Sequence, residues 1–520
     1  MRTPTARRIL YCAILSAVAL GPAVPAGADL TAQGTVCLDE NGNGVCDAGE
    51  PGLPNVGVSN GRNVVVTDEK GRYALPVGDD DVLFVIKPRN YMTPMSDRNL
   101  PRFHYVHKPK GSPEGLKYAG VAPTGPLPKS VDFALRPQLE PDVFDVVVFG
   151  DTQPSNEEHI NHLAHDVLAE VIGTSAAFGV TLGDVVSDRL NLFEPYTAVM
   201  SAVGVPWYNV MGNHDENYDV PNDELAGETW KRVFGPATYS FNWGPVHFIV
   251  LDNVHYNGQD AERKYHSELG RHLTFVANDL KRVPRDQLVV LMMHIPITET
   301  RDRVRLFDLL KDRPHTFSLS AHRHTQMHMF LGAQEGWRGP RPHHHLVHVT
   351  ACGSWWLGAP DEFGLPHATM SDGAPNGYSI ITFSGTDYRI RYKAARRPAD
   401  DQMSIWAPSV VKQADAAETE VLVNVYAGSE RSKVEARVGA RPWTTLERVE
   451  RVDPYYAAVK ASEKSKNPPN GRPLPAASKC RHLWMTKLPA GLVAGTHVIE
   501  VRTTDMFGQT YTARRVLRVE

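Results

Sequence analysis

The feature that most constrains this chain is a series of short apolar runs in its middle third, each followed directly by polar residues. The runs predict strands at residues 143–149, 178–182, 207–211, 246–251, 288–293, 316–319 and 346–350. Helical periodicity separates several of them, at residues 157–172, 265–283 and 301–310. Continuous apolar strands that alternate with amphipathic helices indicate an α/β sheet covered on both faces.

Five polar clusters lie where the predicted strands end. They are Gly150-Asp151-Thr152-Gln153, Gly183-Asp184 with Asp188 nearby, Gly212-Asn213-His214-Asp215, His294, and His322-Arg323-His324. In open α/β sheets the loops at the carboxyl ends of strands meet in one crevice, so these clusters are expected to converge. Carboxylate, imidazole and amide groups are typical ligands of divalent transition metals. The pattern therefore predicts a metal site.

The order of these clusters resembles the calcineurin-like metallophosphoesterases, whose motifs run D-x-H, G-D, G-N-H-[DE], a lone His, and G-H-x-H. The resemblance covers about residues 143–393, and G-N-H-D is intact at residues 212–215. Two positions depart from the pattern: Gln153 stands where the family usually has His, and Ala321 where it usually has Gly. The resemblance extends to a secreted bacterial-type branch. It implies a central metallophosphoesterase β-sandwich flanked by helices, with all-β N-terminal and C-terminal accessory domains.

The resemblance also implies a role for each residue of the site. Asp184 would bridge two divalent transition-metal ions (Mn, Fe or Zn), and a hydroxide shared by the ions would attack the phosphoester. His214 would protonate the leaving group, while Asp188 and Asp215 would orient ligands. The other ligands divide into one set for each ion, namely Asp151, Gln153 and His324, and Asn213, His294 and His322.

Each assignment has a simpler alternative. Asp151 could be a helix N-cap, His214 a structural loop residue, and Gln153 a contact of a ligand rather than a ligand. The expected function is hydrolysis of phosphomonoesters or phosphodiesters. The alternative is a non-catalytic cell-surface binding protein with a degenerate phosphoesterase core. The intact Asn213-His214 pair favours the enzyme.

The regions on either side have β patterning. A chain of 520 residues is expected to form about two to four domains. We predict a signal peptide at residues 1–28, a β-sandwich at 31–137, the phosphoesterase domain at 141–395 and a C-terminal β domain at 405–520. Residues 460–477, rich in Lys, Ser, Asn and Pro, predict a long exposed loop.

A calcium-loop pattern lies in the N-terminal β region. Asp39, Asn41, Asn43 and Glu50 match D-x-[DN]-x-[DN]-G-x5-E, the calcium loop of an EF-hand. Asp47, which lies within the same loop, is a further candidate ligand. The flanking residues predict strands rather than the helices of an EF-hand. The pattern therefore predicts a Ca²⁺ site within a β module, with an empty glycine-rich turn as the alternative.

The N-terminus has the layout of a secretory signal. Arg2, Arg7 and Arg8 precede an apolar run, and small residues follow at a predicted cleavage site. We therefore expect a secreted or periplasmic protein with no transmembrane segment after cleavage. A formal net charge of −4 gives no reason to expect nucleic-acid binding.

Four cysteines follow the predicted signal, an even number that permits disulfides in an exported chain. Cys37 and Cys46 form a local candidate pair, whereas Cys352 and Cys480 are distant in sequence.

Two further groups could face the cleft. The His343-His344-His345 run and His348 could bind another metal, or could continue a strand with alternate side chains facing the substrate. Trp355 and Trp356 could stack on a substrate or belong to the core.

Overall fold

The computed structural model describes residues 30–463 and 473–520, so the predicted signal peptide at 1–28 lies outside the described residues. Its N-terminal part consists of two four-stranded sheets with orders β4-β1-β8-β6 and β3-β2-β5-β7. This arrangement confirms the expected all-β accessory domain. The strands are β1 Leu30–Leu38, β2 Gly57–Ser59, β3 Val64–Val66, β4 Arg72–Val77, β5 Asp81–Ile86, β6 Tyr91–Met92, β7 His104–His107 and β8 Phe133–Pro137.

The central domain contains two larger sheets, with orders β11-β10-β9-β20-β21 and β12-β13-β16-β17-β19-β18. Its strands are β9 Val143–Phe149, β10 Phe178–Thr181, β11 Trp207–Asn209, β12 Tyr239–Trp243, β13 Val246–Val250, β14 Val254–Tyr256, β15 Tyr265–Ser267, β16 Leu288–Met292, β17 Thr316–Ser320, β18 Met327–Leu331, β19 His343–Val347, β20 Gly377–Ser384 and β21 Asp387–Ala394. Its helices are α1 Glu157–Asp166, α2 Phe193–Met200, α3 Glu228–Phe234, α4 His272–Asp279 and α5 Arg303–Leu310. The mixed α/β class with a central sandwich is confirmed.

Aromatic side chains fill the space between the two central sheets. Phe178 of β10 contacts Phe248 of β13 with ring centroids 5.2 Å apart, and Phe144 contacts Phe383 at 5.4 Å. These rings belong to one large buried cluster. Strands β9, β10 and β11 are parallel, as are β13, β16, β17 and β19. Their carboxyl ends lie at one edge, where a bridge between Gly150 and Thr350 links the chain after β9 to the chain after β19.

The structure corrects one predicted helix. Residues 265–283 contain strand β15 and the shorter helix α4, because residues 265–267 pair antiparallel with β14. Gly270 separates the two elements with a φ of +47°, a conformation that interrupts a helix. The first predicted helix, at 157–172, also ends early, at Asp166.

The histidine run forms strand β19, three residues earlier than the predicted 346–350. All five residues of this strand are buried. His343 and His345 contact the Ser318 hydroxyl at 2.7 Å, and His344 contacts the Tyr388 hydroxyl at 2.7 Å. The expectation that alternate histidines face the cleft is therefore wrong. Phe307 of α5 packs against His343 on one face of the sheet, and Tyr388 of β21, in the other sheet, packs against His344 on the opposite face.

The N-terminal sandwich and the central domain share one hydrophobic core. Phe84 of β5 contacts Phe275 of α4 with ring centroids 5.6 Å apart, and Phe103 contacts Tyr239 at 5.0 Å. The buried Lys87 side chain forms an ion pair with Glu140 across the same boundary. The two parts are thus tightly joined.

The C-terminal domain has its own core and two sheets, ordered β22-β24-β28-β27 and β23-β30-β29-β25-β26. It comprises β22 Met403–Trp406, β23 Val410–Val411, β24 Glu420–Val425, β25 Lys433–Val438, β26 Thr444–Thr445, β27 Glu447–Val452, α6 Pro454–Ser462, β28 Lys479–Lys487, β29 Gly495–Thr504 and β30 Thr510–Val519. The loop expected at 460–477 is partly wrong. Its first residues belong to α6, Leu474 is buried, and residues 464–472 lie outside the described part.

Of the two candidate cysteine pairs, one is a disulfide. Cys37 and Cys46 are bonded, whereas Cys352 and Cys480 are free and buried in different clusters. Within the described ranges, no helix is both long and apolar enough to cross a membrane.

Phe178→Ala tests the importance of the core between the sheets. The ring of Phe178 is fully buried and contacts four other aromatic rings at 5.2–5.6 Å, so its loss leaves a cavity. We expect the free energy of unfolding to fall by about 3–5 kcal/mol in urea titrations. Phe363→Ala is the matched control, since Phe363 is 73% exposed, and should change it by less than about 1 kcal/mol. Equal effects of the two substitutions would contradict this account.

Candidate metal centre

The backbone is strained where the strands end. Asp151, Gln153, Asp184, His322 and His324 all have positive φ, between +27° and +68°. Such a conformation costs on the order of 1–3 kcal/mol for each non-glycine residue and is concentrated at functional sites in proteins. The packed sheets hold these turns, which direct their side chains to a common point.

Three ligand-type atoms surround Nε2 of the buried His294 ring. Asp184 Oδ1 and Asn213 Oδ1 each lie 3.2 Å from it, and His322 Nδ1 lies 3.1 Å away. The other ring nitrogen, Nδ1, lies 2.9 Å from the Leu182 carbonyl oxygen, to which it can donate. This contact favours the tautomer whose Nε2 lone pair is free for a metal.

These atoms fit a divalent cation. Ligands bound at about 2.0–2.2 Å from one ion are about 3.0–3.5 Å from each other, as the atoms around His294 are. Burial disfavours protonation of His294, yet the negative charge of Asp184 outweighs burial and raises the pKa of His294 to about 9. Burial and the adjacent His294 lower the pKa of His322 to about 3, so its ring offers a lone pair. The electrostatic attraction that holds a proton here would equally hold a metal ion.

A second set of side chains adjoins this group, where the His322 backbone N–H donates to Asp151 Oδ1 at 3.0 Å. Asp151 Oδ2 lies 3.1 Å from His324 Nε2 and has no hydrogen-bond partner, although it is buried. Nδ1 of His324 lies 2.5 Å from the Gly353 carbonyl oxygen, which again leaves Nε2 directed toward the carboxylate. An unpartnered buried carboxylate oxygen beside an imidazole fits a cation as well.

Gln153 is oriented differently from the expected ligand. Its Nε2 donates to Asp184 Oδ2 at 3.1 Å, while Oε1 lies 3.7 Å from the Cys352 thiol, which can donate to it. Ligation through the oxygen requires a half-turn of the amide. In the observed orientation Gln153 instead fixes the carboxylate that is expected to bridge the ions.

His214 follows Asn213 but is not directed at the same point as its neighbour. Its backbone N–H donates to Asp184 Oδ1 at 2.9 Å, and its Nδ1 lies 2.7 Å from Asp188 Oδ1. The side chain is 31% exposed. Burial opposes its protonation, but Asp184 and Asp188 raise the pKa to about 9. The ring is thus anchored at one nitrogen, beside the predicted ligands and open to solvent.

Asp215 holds the loops together, as expected for a supporting residue. Its carboxylate accepts from the backbone N–H groups of Val185, Val186 and Gly212 at 2.9–3.0 Å. This joins the Asp184 turn to the Asn213 turn. The structure thus brings together all seven predicted ligands and His214 at one edge of the sandwich.

Several contacts at the site were not predicted. The Tyr218 hydroxyl donates to the Asn213 carbonyl oxygen, and Tyr265 of β15 lies against the His322 ring, with centroids 6.0 Å apart. Trp355 stacks on His324 with centroids 4.0 Å apart, and Trp356 donates to the Thr152 carbonyl oxygen at 2.9 Å. Only the tryptophans carried a sequence signal. No motif identifies the tyrosines.

The predicted calcium loop lies between β1 and β2, next to the disulfide. Asp39 accepts from the backbone N–H groups of residues 42–44 at 2.7–3.1 Å. The amides of Asn41 and Asn43 both donate to Asp47 Oδ2 at 2.7 Å, which lowers the Asp47 pKa. Glu50 accepts from the backbone of residues 40 and 47 at 2.9–3.0 Å. The side-chain oxygens of the motif therefore share one compact loop.

Asp184→Asn tests the metal assignment. Loss of the carboxylate charge between the two sets of ligands should reduce bound divalent metal from about two ions per chain to about none. Elemental analysis after dialysis measures the change. Asp188→Asn is the matched control and should keep its metal, because Asp188 contacts His214 rather than the ligands. Normal metal content in Asp184→Asn would refute the bridging role.

Three family descriptions match this chain. The chain matches the family description Calcineurin-like phosphoesterase over residues 144–326, its N-terminal counterpart over 40–120 and its C-terminal counterpart over 345–511. No curated protein matches the chain. Among solved structures, a purple acid phosphatase from yellow lupin (Lupinus luteus) seeds is 15% identical, with a TM-score of 0.38, covering 67% of each chain. A candidate superoxide reductase from Thermotoga maritima is 16% identical, with a TM-score of 0.13, covering 23% of this chain and 85% of its own.

On the three adjoining family matches, together with the motifs assembled at the sheet edge, this chain belongs to the calcineurin-like phosphoesterase family.

Proposed function

We propose that this protein hydrolyses phosphomonoesters or phosphodiesters with two divalent transition-metal ions and with His214 as proton donor. The observation that carries the proposal is the group of ligand-type atoms around His294 Nε2, 3.1–3.2 Å away. Membership of a phosphoesterase family supports the same reaction class. When bound, two such ions would supply Lewis acidity toward phosphoryl oxygens and would activate a water nucleophile.

The side chains of the site would have separate roles in holding the two ions. Asp151, His324 and Asp184 would hold one ion, with Gln153 either ligating or orienting Asp184. Asp184 with Asn213, His294 and His322 would hold the other. Backbone carbonyl contacts at Leu182 and Gly353 orient the two histidine rings and keep their Nε2 atoms free.

His214 would deliver the proton that the departing oxygen needs. Its Nδ1 is engaged by Asp188, so Nε2 is the atom available to a substrate. The side chain is partly exposed, whereas the predicted ligand His294 is fully buried. A group that is anchored, protonated and open to solvent is suited to general acid catalysis.

His214→Ala should keep both ions and lose about 10²–10⁴-fold in kcat, the range for general acid–base catalysis. The loss should be smaller for p-nitrophenyl phosphate than for an alkyl phosphate, because p-nitrophenolate needs little protonation to leave. Steady-state kinetics with Mn²⁺, Zn²⁺ or Fe²⁺, together with metal analysis, measures both effects.

His497→Ala is the matched control, because His497 lies in the C-terminal domain and its ring nitrogen Nε2 contacts the carbonyl oxygen of the nearby Val493 at 2.8 Å. It should leave kcat unchanged. If His214→Ala lost bound metal, His214 would be identified as a ligand. An equal fall in kcat on the two substrates would contradict the general-acid role. A wild-type chain that binds metal yet hydrolyses no phosphoester would instead favour the non-catalytic binding protein.

We further propose that the loop at Asp39, Asn41, Asn43, Asp47 and Glu50 binds Ca²⁺ and stabilises the N-terminal sandwich. The match of this segment to a calcium-loop pattern supports this proposal, since Ca²⁺ takes six to eight oxygen ligands in flexible geometry. The Cys37–Cys46 disulfide closes the loop from the other side. The site would be structural, because this loop lies in the accessory sandwich.

Calcium should raise the melting temperature of the full chain when saturating Mn²⁺ is already present. At a concentration 100 times its Kd, the free energy of unfolding should rise by about 2.7 kcal/mol. Glu50→Gln should abolish the response, while Glu69→Gln, at an exposed neighbouring turn, should preserve it. A melting temperature that is indifferent to Ca²⁺ would exclude the site.

We also propose that the protein acts outside the cytosol, in a periplasm or the extracellular space. The Cys37–Cys46 disulfide supports this location, since such bonds persist in oxidising compartments.

A further inference from the structure

One buried loop lies between the metal centre and the C-terminal domain. We call residues 369–376, which precede β20, the Asp372 loop. Asp372 is 1% exposed, and its Oδ2 accepts from the Gln326 backbone N–H at 2.8 Å. The same oxygen lies 3.0 Å from Nε2 of His482, a residue of β28 in the C-terminal domain. A single carboxylate thus links the two domains.

The C-terminal domain holds this loop with several other polar groups. The Asn424 amide donates to the Asp372 carbonyl oxygen and to Asp453 Oδ2, both at 3.1 Å. Asn424 Oδ1 lies 2.7 Å from His482 Nδ1, so each ring nitrogen of His482 has a partner. The Ser478 N–H donates to the Ser371 carbonyl oxygen at 3.0 Å. Because Asn424 and His482 are almost fully buried, water cannot replace these contacts.

The loop in turn fixes the chain around His324. Gln326, which donates to Asp372, is only two residues beyond His324. On the other side, the Ser354 hydroxyl donates to the Thr369 carbonyl oxygen at 2.7 Å, next to the Gly353 carbonyl that orients the His324 ring. Gly353 has a φ of +54°, and a Cβ there would lie 1.5 Å from the Ala368 carbonyl oxygen. This contact permits no side chain, so the two segments are closely fitted.

We propose that the C-terminal domain is a positioning part of the metal centre, acting through His482 and Asp372 on His324. The proposal rests on the two-ion site proposed above and assigns a role to a domain that supplies no predicted ligand. The ion held by Asp151 and His324 should depend on this path more than the other ion. Of the other ion's ligands, only His322 lies in the same turn as His324, whereas Asn213 and His294 follow different strands. His482 and Asp372 are positioning residues and would not touch the substrate.

His482→Leu removes the donor from the C-terminal domain and leaves the buried Asp372 carboxylate with fewer partners. We expect the affinity of one Mn²⁺ site to fall by about 10- to 100-fold, the usual effect of losing a group that orients a ligand. The other site should lose less affinity, because Asn213 and His294 do not lie on this path. Titration calorimetry of Mn²⁺ into the chelator-treated full-length chain measures both sites without reference to activity. His482→Gln, whose amide can still donate toward Asp372, should recover part of the loss.

Val501→Ala controls for a general loss of stability, because Val501 is fully buried in the core of the C-terminal domain. It should lower the melting temperature and leave both Mn²⁺ affinities unchanged. If His482→Leu does not fold, Asn424→Ala tests the same path, since it removes the amide that holds both His482 and the Asp372 loop.

Unchanged affinity at both sites in the folded His482 or Asn424 variant would overturn the proposal, as would an equal loss in Val501→Ala. A wild-type chain that binds two ions but hydrolyses no phosphoester overturns the proposed function alone. A wild-type chain that binds fewer than two ions overturns both.

Discussion

The rest of the site depends on the crowding of Asp184, Asn213 and His322 around the buried Nε2 of His294. Three atoms that carry lone pairs lie within 3.2 Å of one nitrogen, and the Asp184, Asn213 and His294 side chains are almost fully buried. Without a positive charge at the centre, such an arrangement would be repulsive in a low-dielectric interior. A proton on His294, or a metal ion held by all four side chains, would remove this repulsion. The strained turns, the orienting carbonyl groups and the supporting Asp215 all maintain this arrangement.

The packed core of the sandwich offsets the energetic cost of the strained turns. Turns with positive φ at non-glycine residues cost on the order of 1–3 kcal/mol each, whereas burial of a large aromatic ring such as Phe178 contributes a similar or larger amount. The two sheets place their parallel strands with the carboxyl ends at one edge, where the strained turns follow. Burial in the core therefore compensates for the conformational strain of the turns that form the site.

The two accessory domains differ in their main contacts with the central domain, although small apolar clusters, which include Tyr426 and Tyr456, also join the C-terminal domain to it. The N-terminal sandwich joins the central domain through a common apolar core, which includes the contact between Phe84 and Phe275. The C-terminal domain has a separate apolar core and reaches the site through buried hydrogen bonds at Asp372 and His482. Apolar contacts depend little on the relative orientation of the two groups, whereas hydrogen bonds require a defined orientation. The second kind of attachment is therefore the one suited to positioning a ligand loop.

The sequence by itself determined the fold class, the parallel strands of the central domain and the convergence of its polar clusters. Strands such as the one at 143–149 follow from a local run of apolar residues. The carboxyl ends of parallel strands meet at one edge of a sheet whatever the details of side-chain packing. The local Cys37–Cys46 disulfide was equally predictable. Features set by distant contacts were not. Residues 265–267 form a strand because they pair with β14, and the His343–His345 run is covered on both faces by its neighbours. The amide orientation of Gln153 and the link from His482 to His324 likewise join residues far apart in sequence. Only the tertiary structure decided these features, because their energies come from packing and hydrogen bonds that no local pattern encodes.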